Sequence, residues 1–397
     1  MAKESDCDAI IEKAKEKAKM LIKNMEEYGL KIEGVITDED LTPVIGRCCE
    51  NVLGYQKMPL GVSNRALRIN NKEFWIPICT TEGALVASMC RGIKLLNECG
   101  GIEGSVENLG MTRGFAIGFP NFGTALKFYR ELPNLEEELS DVGNSTSRFL
   151  KIKEIKAKQI LSKTVFIKVS AYTGDAMGMN MITKACNKIA HRIMEMYPGS
   201  RLVCISANTC TDKKWSAENF VNGRGRRIFL NVKISEEKCK EILGVNIYEI
   251  YKVYHTKIVL GSGLALASGN CQAANYVAGI FIALGQDVAQ VLESSNCMLS
   301  MEIVGNELEV SLFMPSLCVG SIGGGTHLEP QKSFISQFYL EDNPDFFITD
   351  RKKDPGVAPN WMALAIAGAV LAGELSLLGS LADNSLMNAH LKLNRKK

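Results

Sequence analysis

The sequence Arg201-Leu-Val-Cys-Ile-Ser-Ala-Asn-Thr-Cys-Thr-Asp-Lys-Lys214 joins a short apolar run to a charged loop. The apolar part indicates the end of a β-strand. The loop at residues 206–214 then concentrates carboxylate, ammonium, hydroxyl and amide groups. Such a loop could hold a small, charged, oxygen-rich substrate, although a capped turn with solvated lysines has the same composition. Asp212 would keep Lys213 protonated, and a protonated lysine can stabilise an oxyanion.

Strand-like and helix-like stretches alternate around this loop. The pattern predicts strands at Phe115–Phe119, Thr164–Val169 and Arg201–Ile205, and helices at Asn121–Leu132 and Ile182–Met196. The middle of this region, Leu132–Lys163, is highly charged, whereas the chain after Lys257 is strongly apolar. This contrast indicates a small α+β domain inserted into a larger one. We predict an α/β (α+β) fold with a helical segment at residues 1–45, a large domain at residues 46–118 and 217–397, a small domain at residues 119–205 and a connecting loop at residues 206–216.

The composition narrows the class of protein. The chain has 397 residues, a net charge of +2, 13 cysteines and 4 histidines. A near-neutral charge argues against a nucleic-acid surface, and so few histidines argue against a zinc cage. Scattered cysteines predict a reducing compartment. The run Ala363–Ala382 could span a bilayer by length, but Glu374 and its glycines favour a buried helix. We expect a cytoplasmic protein, or one on the cytosolic face of the endoplasmic reticulum if a membrane anchor precedes this chain.

Two further segments suggest phosphate binding. Thr80 and Thr81 precede an apolar helical run and predict a helix start, which would put Glu82 in the first turn. On that helix Ser88, Arg91 and Lys94 follow one another at three-residue spacing, so one face carries a hydroxyl and two cations. The glycines of Gly174-Asp-Ala-Met-Gly-Met-Asn-Met181 would let a backbone approach a ligand closely.

Asp287 follows an apolar helical stretch predicted at Ala273–Leu284. An acid at the end of a buried helix is unusual, because the helix dipole disfavours a negative charge there. A neighbouring lysine is the simplest compensation. The glycine-rich turn Gly320-Ser-Ile-Gly-Gly-Gly-Thr326 could hold a phosphate or could link strands. His390 lies on a polar, basic tail, where a histidine is usually solvated.

Taken together, these segments resemble the catalytic portion of the 3-hydroxy-3-methylglutaryl-CoA reductase family. The resemblance covers roughly residues 45–397, and the NADPH-using class of eukaryotes and archaea is the better match. It rests on motifs in the family's order: ENVLGY (50–55), TTEGALVAS (80–88), GMTRG (110–114), STSRF (145–149), GDAMGMNM (174–181), CTDKK (210–214), GQD (285–287) with SSNC (294–297), and GSIGGGT (320–326).

The resemblance implies a reaction and four catalytic residues. The reaction is the reduction of 3-hydroxy-3-methylglutaryl-CoA to mevalonate and CoA with two NADPH and no metal, a step of isoprenoid and sterol biosynthesis. Lys213 would stabilise the oxyanion, and Asp287 would keep this lysine charged. Glu82, expected to be buried and protonated, would supply a proton to the aldehyde oxygen. His390 would protonate the departing CoA thiolate.

The resemblance also implies binding residues and an assembly. One set of residues would bind the CoA part of the substrate and another would bind its acyl group. Together they are Ser88, Arg91, Lys94, Ser206, Asn208, Asp212, Lys214, Lys257 and Asn275. The NADPH 2′-phosphate would be read by Ser147, Arg148 and Phe149, because a fixed positive charge is the expected discriminator. The nicotinamide side of the pocket would be lined by Asp175, Ala176, Met177, Gly178, Met179 and Asn180. ENVLGY resembles a dimer motif, and we expect a homodimer or dimer of dimers with active sites between subunits.

Some positions depart from the family pattern. Gly118 stands where an arginine usually helps to hold the substrate carboxylate, Gln272 replaces a common histidine, and Gly244 aligns with a CoA-contacting lysine. The four catalytic residues are all present. Two other functions remain open at this point. A thioester hydrolase could reuse Lys213 and Glu82, and a non-catalytic paralogue could bind CoA or NADP without turnover.

Overall fold

The computed structural model describes residues 2–27, 29–30, 34–36, 40–45, 48–262, 269–341, 347–348 and 356–385. The helices there are α1 (Ala2–Glu27), α2 (Leu85–Glu98), α3 (Phe122–Asn144), α4 (Met179–Met196), α5 (Ala217–Asn222), α6 (Glu236–Leu243), α7 (Ile247–Tyr254), α8 (Ala273–Ala283), α9 (Val291–Ser294), α10 (Gln331–Ile335) and α11 (Val357–Ala382). The strands are β1 (Leu60–Val62), β2 (Leu67–Ile69), β3 (Lys72–Phe74), β4 (Pro77–Cys79), β5 (Glu103–Gly118), β6 (Lys151–Leu161), β7 (Thr164–Tyr172), β8 (Arg201–Cys204), β9 (Gly225–Ser235), β10 (Met298–Val304), β11 (Glu307–Leu317) and β12 (Phe347–Ile348).

The long strand β5 connects the two halves of the molecule. The main sheet has the order β10-β11-β9-β5-β7-β6, and β8 and β12 also pair with β5. The first half of β5 pairs with β9, and the second half pairs with β7. Gly110 marks the change of partner with a φ of 77°, and a Cβ there would lie 2.6 Å from the carbonyl oxygen of Ala171. Only glycine fits this close approach without strain.

The second half of β5 belongs to a small α+β unit. Its strands run β8-β5-β7-β6, and its helices α3 and α4 complete a β-α-β-β-α-β order, which is ferredoxin-like. A separate hydrophobic cluster between Phe115 and Tyr197 fills it. The predicted α/β fold is confirmed, while the exact domain boundaries stay a prediction.

The larger core is built around α11. This helix contacts α2, α8 and the first half of the sheet, and it is buried almost all round. The helices approach closely, because a Cβ on Gly373 would lie 1.9 Å from the ring of Tyr276. In the part of the chain that the structure describes, α11 is long and apolar enough to cross a membrane, and 94% of its most apolar window is buried. The expected buried helix is therefore observed, and the cellular location stays a prediction.

One local prediction is wrong. The helix after the threonines begins later than predicted, at Leu85, since Ala84 has a left-handed φ of 73°. The Thr80 hydroxyl accepts a hydrogen bond from the Glu82 amide at 3.0 Å, which closes a turn instead of capping a helix. Glu82 thus precedes the helix.

Candidate active site

The loop that carries Lys213 has an unusual backbone. Asn208, Thr211 and Lys213 have φ values of 41°, 59° and 55°, in the left-handed region that side chains disfavour. Such residues cost of order 1–3 kcal/mol each and persist only when their surroundings hold them. The amide of Ala207 donates to the carbonyl of Gly114 at 2.9 Å, which anchors the start of the loop on β5.

Lys213 forms an ion pair with Asp287. The distance between Lys213 Nζ and Asp287 Oδ2 is 2.9 Å, and 44% of the lysine side chain is exposed. The hydrogen bond with Asp287 raises the pKa of Lys213, so the ammonium form is favoured. Asp287 accepts from the amide of Ala289 at 3.2 Å and begins a helical turn after α8 has ended. The lysine predicted to compensate Asp287 is therefore Lys213.

The side chain of Asp212 contacts residues other than Lys213. Its Oδ1 accepts from Arg224 Nη2 at 2.8 Å and from Gln290 Nε2 at 3.1 Å. Its Oδ2 lies 3.6 Å from Arg113 Nη1. The expectation that Asp212 favours the charged form of Lys213 is supported, since the Asp212 carboxylate adds to the larger effect of Asp287 on the lysine pKa.

Behind the loop lies a buried ion pair that the sequence analysis missed. Arg224 and Glu293 are both 0% exposed, and Arg224 Nη1 lies 2.5 Å from Glu293 Oε1. The same Glu293 oxygen accepts from the amide of Lys213 at 3.0 Å. Burial raises the pKa of Glu293 to about 7, although Arg224 and the Lys213 amide oppose the shift. Neither residue belongs to a quoted motif, and a single sequence gives no signal that charges so far apart will be buried together.

A cavity of about 620 Å³ lies beside the Lys213–Asp287 pair. The glycine turn is required here, because a Cβ on Gly320 would lie 2.2 Å from the amide nitrogen of Met177. Gly178 has a φ of 99° and begins α4, so the first turn of this helix borders the cavity. Its lining includes two of the predicted catalytic residues and most of the predicted nicotinamide-side residues: Ala176, Met177, Gly178, Met179, Asn180, Lys213, Asp287, Gly320 and Ile322–Gly325.

Other predicted cofactor residues lie outside that lining. Asp175 supports the cavity wall, since its carbonyl accepts from the amide of Ser321 at 2.8 Å. Ser147, Arg148 and Phe149 form an exposed turn between α3 and β6. The Arg148 guanidinium lies 4.6 Å from the centre of the Phe149 ring, and the Ser147 hydroxyl accepts from the Phe149 amide at 3.2 Å.

Glu82 lies in a second group of predicted residues, around the start of α8. Glu82 is exposed, so the expected burial is not supplied by its own chain. Burial raises the pKa of the Tyr276 hydroxyl, and the Glu374 and Glu82 carboxylates add to the shift. Asn275 is next along α8, with its amide 3.5 Å from Gln272 Oε1. Among the described contacts, no hydrogen bond or ion pair joins Glu82 to Lys213 or Asp287.

The predicted CoA-binding face of α2 is occupied by α11. The Ser88 hydroxyl donates to the Ser376 hydroxyl at 2.9 Å. Arg91 donates to both the carbonyl and the hydroxyl of Ser376, and burial lowers the pKa of Arg91. Lys94 lies 3.8 Å from Glu98. The structure therefore gives Ser88 and Arg91 packing partners within the chain, and a CoA contact would have to add to these.

The remaining predicted residues lie on the surface or outside the described chain. Ser206 and Asn208 are exposed, and Lys214 Nζ donates to the Asp212 carbonyl at 3.1 Å. Lys257 is exposed in a π-helical turn at His255–Leu260. His390 lies outside the described residues. Among those described, no group of three or more potential ligands could hold a metal ion.

Comparison with known proteins decides the family. The family model for hydroxymethylglutaryl-coenzyme A reductase matches residues 13–395. The chain belongs to this reductase family. A reductase of Camptotheca acuminata is 38% identical over 373 residues, covering 92% of this chain and 61% of that protein. A reductase of Schizosaccharomyces pombe is 39% identical over 365 residues, covering 90% of this chain and 34% of that protein.

The family fold is also found among solved structures. The class II reductase of Streptococcus pneumoniae, described as bound to NADPH in open conformations, matches with a TM-score of 0.65 and 19% identity. The match covers 84% of this reductase-family chain and 87% of that chain. This likeness supports the fold alone, while the sequence relatives are plant and yeast proteins, in agreement with the predicted eukaryotic type.

Proposed function

We propose that this chain catalyses the NADPH-dependent reduction of 3-hydroxy-3-methylglutaryl-CoA to mevalonate and CoA. The observation that supports this proposal most directly is the Lys213–Asp287 ion pair, at 2.9 Å. It lies on the wall of a cavity that the start of α4 also borders. Membership of the reductase family supports the same reaction. Because the chain spans 61% of the first plant relative, the activity of the whole relative comes to it only as a proposal.

The residues of the cavity fit a dinucleotide with a nicotinamide end. Its glycines leave room for close approach, and the first turn of α4 presents backbone amides that suit a negatively charged group. When bound, NADPH supplies hydride to the carbonyl carbon of the thioester. Lys213 then stabilises the negative charge that develops on the carbonyl oxygen, and Asp287 keeps the lysine protonated throughout.

The 2′-phosphate of NADPH is assigned to the turn after α3. Arg148 offers a fixed charge there, and Ser147 offers a hydroxyl. Lys188 Nζ lies 2.7 Å from the Ser145 hydroxyl, which brings a second cation to the same turn. NADH has no group for these side chains to bind, so NADPH is preferred.

The proton-supplying residues are assigned to a shared site between two subunits. Glu82 and Lys257 are exposed, whereas Lys213 and Asp287 border the cavity. A second subunit that lays its Glu82 face over this cavity would bury Glu82 and complete the site. His390 keeps its predicted role as the proton donor to the CoA thiolate.

The experiment is a pair of rate measurements on the purified protein. NADPH oxidation and release of free CoA are followed with the racemic CoA ester, and two NADPH are expected per CoA. NADH should support turnover poorly. Release of CoA without NADPH oxidation would indicate a hydrolase, and binding of both ligands with neither reaction would indicate a non-catalytic paralogue.

A further inference from the structure

Glu293 is a fully buried acid beside the candidate active site, and the mechanism above does not use it. It lies on the short helix α9, which is fastened to β11. The Ser316 hydroxyl donates to the carbonyl of Glu293 at 2.7 Å, and the amide of Cys318 donates to the Ser294 hydroxyl at 3.1 Å. The carboxylate is therefore carried on a fixed backbone.

One oxygen of this carboxylate makes both of its strong contacts. Oε1 accepts from the Lys213 amide at 3.0 Å and from Arg224 Nη1 at 2.5 Å. The second oxygen, Oε2, is buried and has no hydrogen-bond partner in the described part of the chain. A buried acid with an unsatisfied oxygen is costly, and a buried ion pair adds little net stability. Stability alone is a weak reason for this arrangement.

The geometry gives a better reason. Lys213 has a left-handed φ of 55°, and the acceptor of its amide is the Glu293 carboxylate. The other arm of Arg224 holds the side chain of Asp212 at 2.8 Å. Asp287 and Glu293 lie six positions apart on one continuous segment. That segment therefore contacts Lys213 twice. Glu293 accepts a hydrogen bond from the backbone amide of Lys213, and Asp287 forms an ion pair with its ammonium group.

We propose that Glu293 is a positioning residue, whose buried carboxylate holds the Lys213 backbone so that the ammonium reaches the carbonyl oxygen next to Asp287. This inference rests on the proposed function, in which Lys213 acts on that oxygen. Glu293 itself touches no substrate. Its effect on turnover passes through the hydrogen bond to the Lys213 amide.

The test compares Glu293→Gln and Glu293→Ala with Glu107→Gln as the matched control. Glu107 pairs with Arg227 on the sheet, at 3.1 Å, away from the loop. Glu293→Gln keeps a carbonyl acceptor at the same place, and kcat should stay within about threefold of the natural protein. Glu293→Ala removes the acceptor, and kcat should fall by about 10- to 100-fold while KM for NADPH changes less than about threefold.

A second measurement does not depend on activity. Hydrogen–deuterium exchange of a peptide that contains residues 208–215 should become about tenfold faster in Glu293→Ala, and should not change in Glu293→Gln or Glu107→Gln. If Glu293→Ala does not fold, the double variant Arg224→Met with Glu293→Met removes both buried charges at similar volume and takes its place. It is compared with Arg224→Met alone, because Arg224 also holds Asp212 in this loop.

The outcomes separate the two proposals. Unchanged loop exchange and unchanged kcat in a folded variant without the acceptor would overturn the positioning role. An equal loss in Glu293→Gln and Glu293→Ala would also overturn it, since the acceptor would then not matter. If the natural protein shows no NADPH oxidation, the proposed function fails, and the exchange measurement still decides whether Glu293 holds the loop.

Discussion

Lys213 lies in front of a buried ion pair of its own chain, whereas the Glu82 side chain is exposed. Arg224 and Glu293 are wholly buried behind Lys213. Glu82 and Lys257 are exposed, and α11 packs against α8 in the interior. In the proposed assembly, one chain supplies the half of the site around Lys213, and a second subunit covers the half around Glu82.

The largest expected effect comes from removing the lysine. Lys213→Ala should lower kcat by about 100- to 1,000-fold, because the developing oxyanion loses its charged donor. KM for NADPH should change little, and Lys156→Ala, an exposed lysine paired with Glu154, serves as the control. Steady-state kinetics with both substrates check this. A near-normal kcat in Lys213→Ala would contradict the assignment of Lys213 as the residue that stabilises the oxyanion.

The open half can be tested by mixing two inactive variants. Glu82→Gln should lose most turnover, at least about tenfold, as expected for a lost proton donor. If two subunits share each site, co-assembly of Glu82→Gln with Lys213→Ala restores one intact site in mixed dimers. Equal random mixing should then recover about a quarter of the natural activity. Mixtures that stay inactive although mixed dimers have formed would place both residues in the same chain's site.

A smaller effect is expected from Asp287→Asn. Asp287 raises the pKa of Lys213, so its removal lowers that pKa and the ammonium is lost at lower pH. The alkaline limb of the kcat–pH profile should move towards neutral pH, and kcat near pH 7 should fall by about tenfold. Asp141→Asn, on the exposed face of α3, should leave the profile in place. A profile that is identical in Asp287→Asn would remove the electrostatic role of Asp287.

The smallest effect concerns the packing beneath the open half. Gly373→Ala places a methyl group 1.9 Å from the Tyr276 ring and should lower the free energy of unfolding by about 1–3 kcal/mol. Gly379→Ala, on the same helix, meets its nearest neighbour at 3.2 Å and should be close to neutral. Thermal unfolding of the two variants measures the difference. Equal melting temperatures would show that α8 and α11 can separate without cost.

Much of the fold could be predicted because its signals are local. The alternation of apolar runs between Phe115 and Ile205 indicated the small α+β unit, and the unbroken apolar stretch before Asp383 indicated a buried helix. The need for a cation near Asp287 was also within reach, because an acid after a buried helix needs compensation. These signals lie within a few residues of each feature, whereas the choice of Lys213 as the cation came from the family resemblance.

The features that escaped depend on distant contacts. Thr80 and Thr81 are good helix caps by composition, yet the chain needs a turn there, with Ala84 left-handed. Arg224 and Glu293 meet only after the sheet and α9 have packed together, so no local pattern marks them. The burial expected for Glu82 is not found within one chain, and in the proposed assembly a second subunit supplies it.

Since α11 is buried almost all round, the order in which the polypeptide is made matters. The core around Leu67, Ile93 and Phe281 stays incomplete until residues near 378 have left the ribosome, whereas the cluster between Phe115 and Tyr197 needs nothing beyond β8. The small unit can therefore fold during translation, while the apolar surfaces of the larger half stay exposed to solvent until α11 is available. Protease protection of ribosome-bound chains of increasing length should appear first for the small unit.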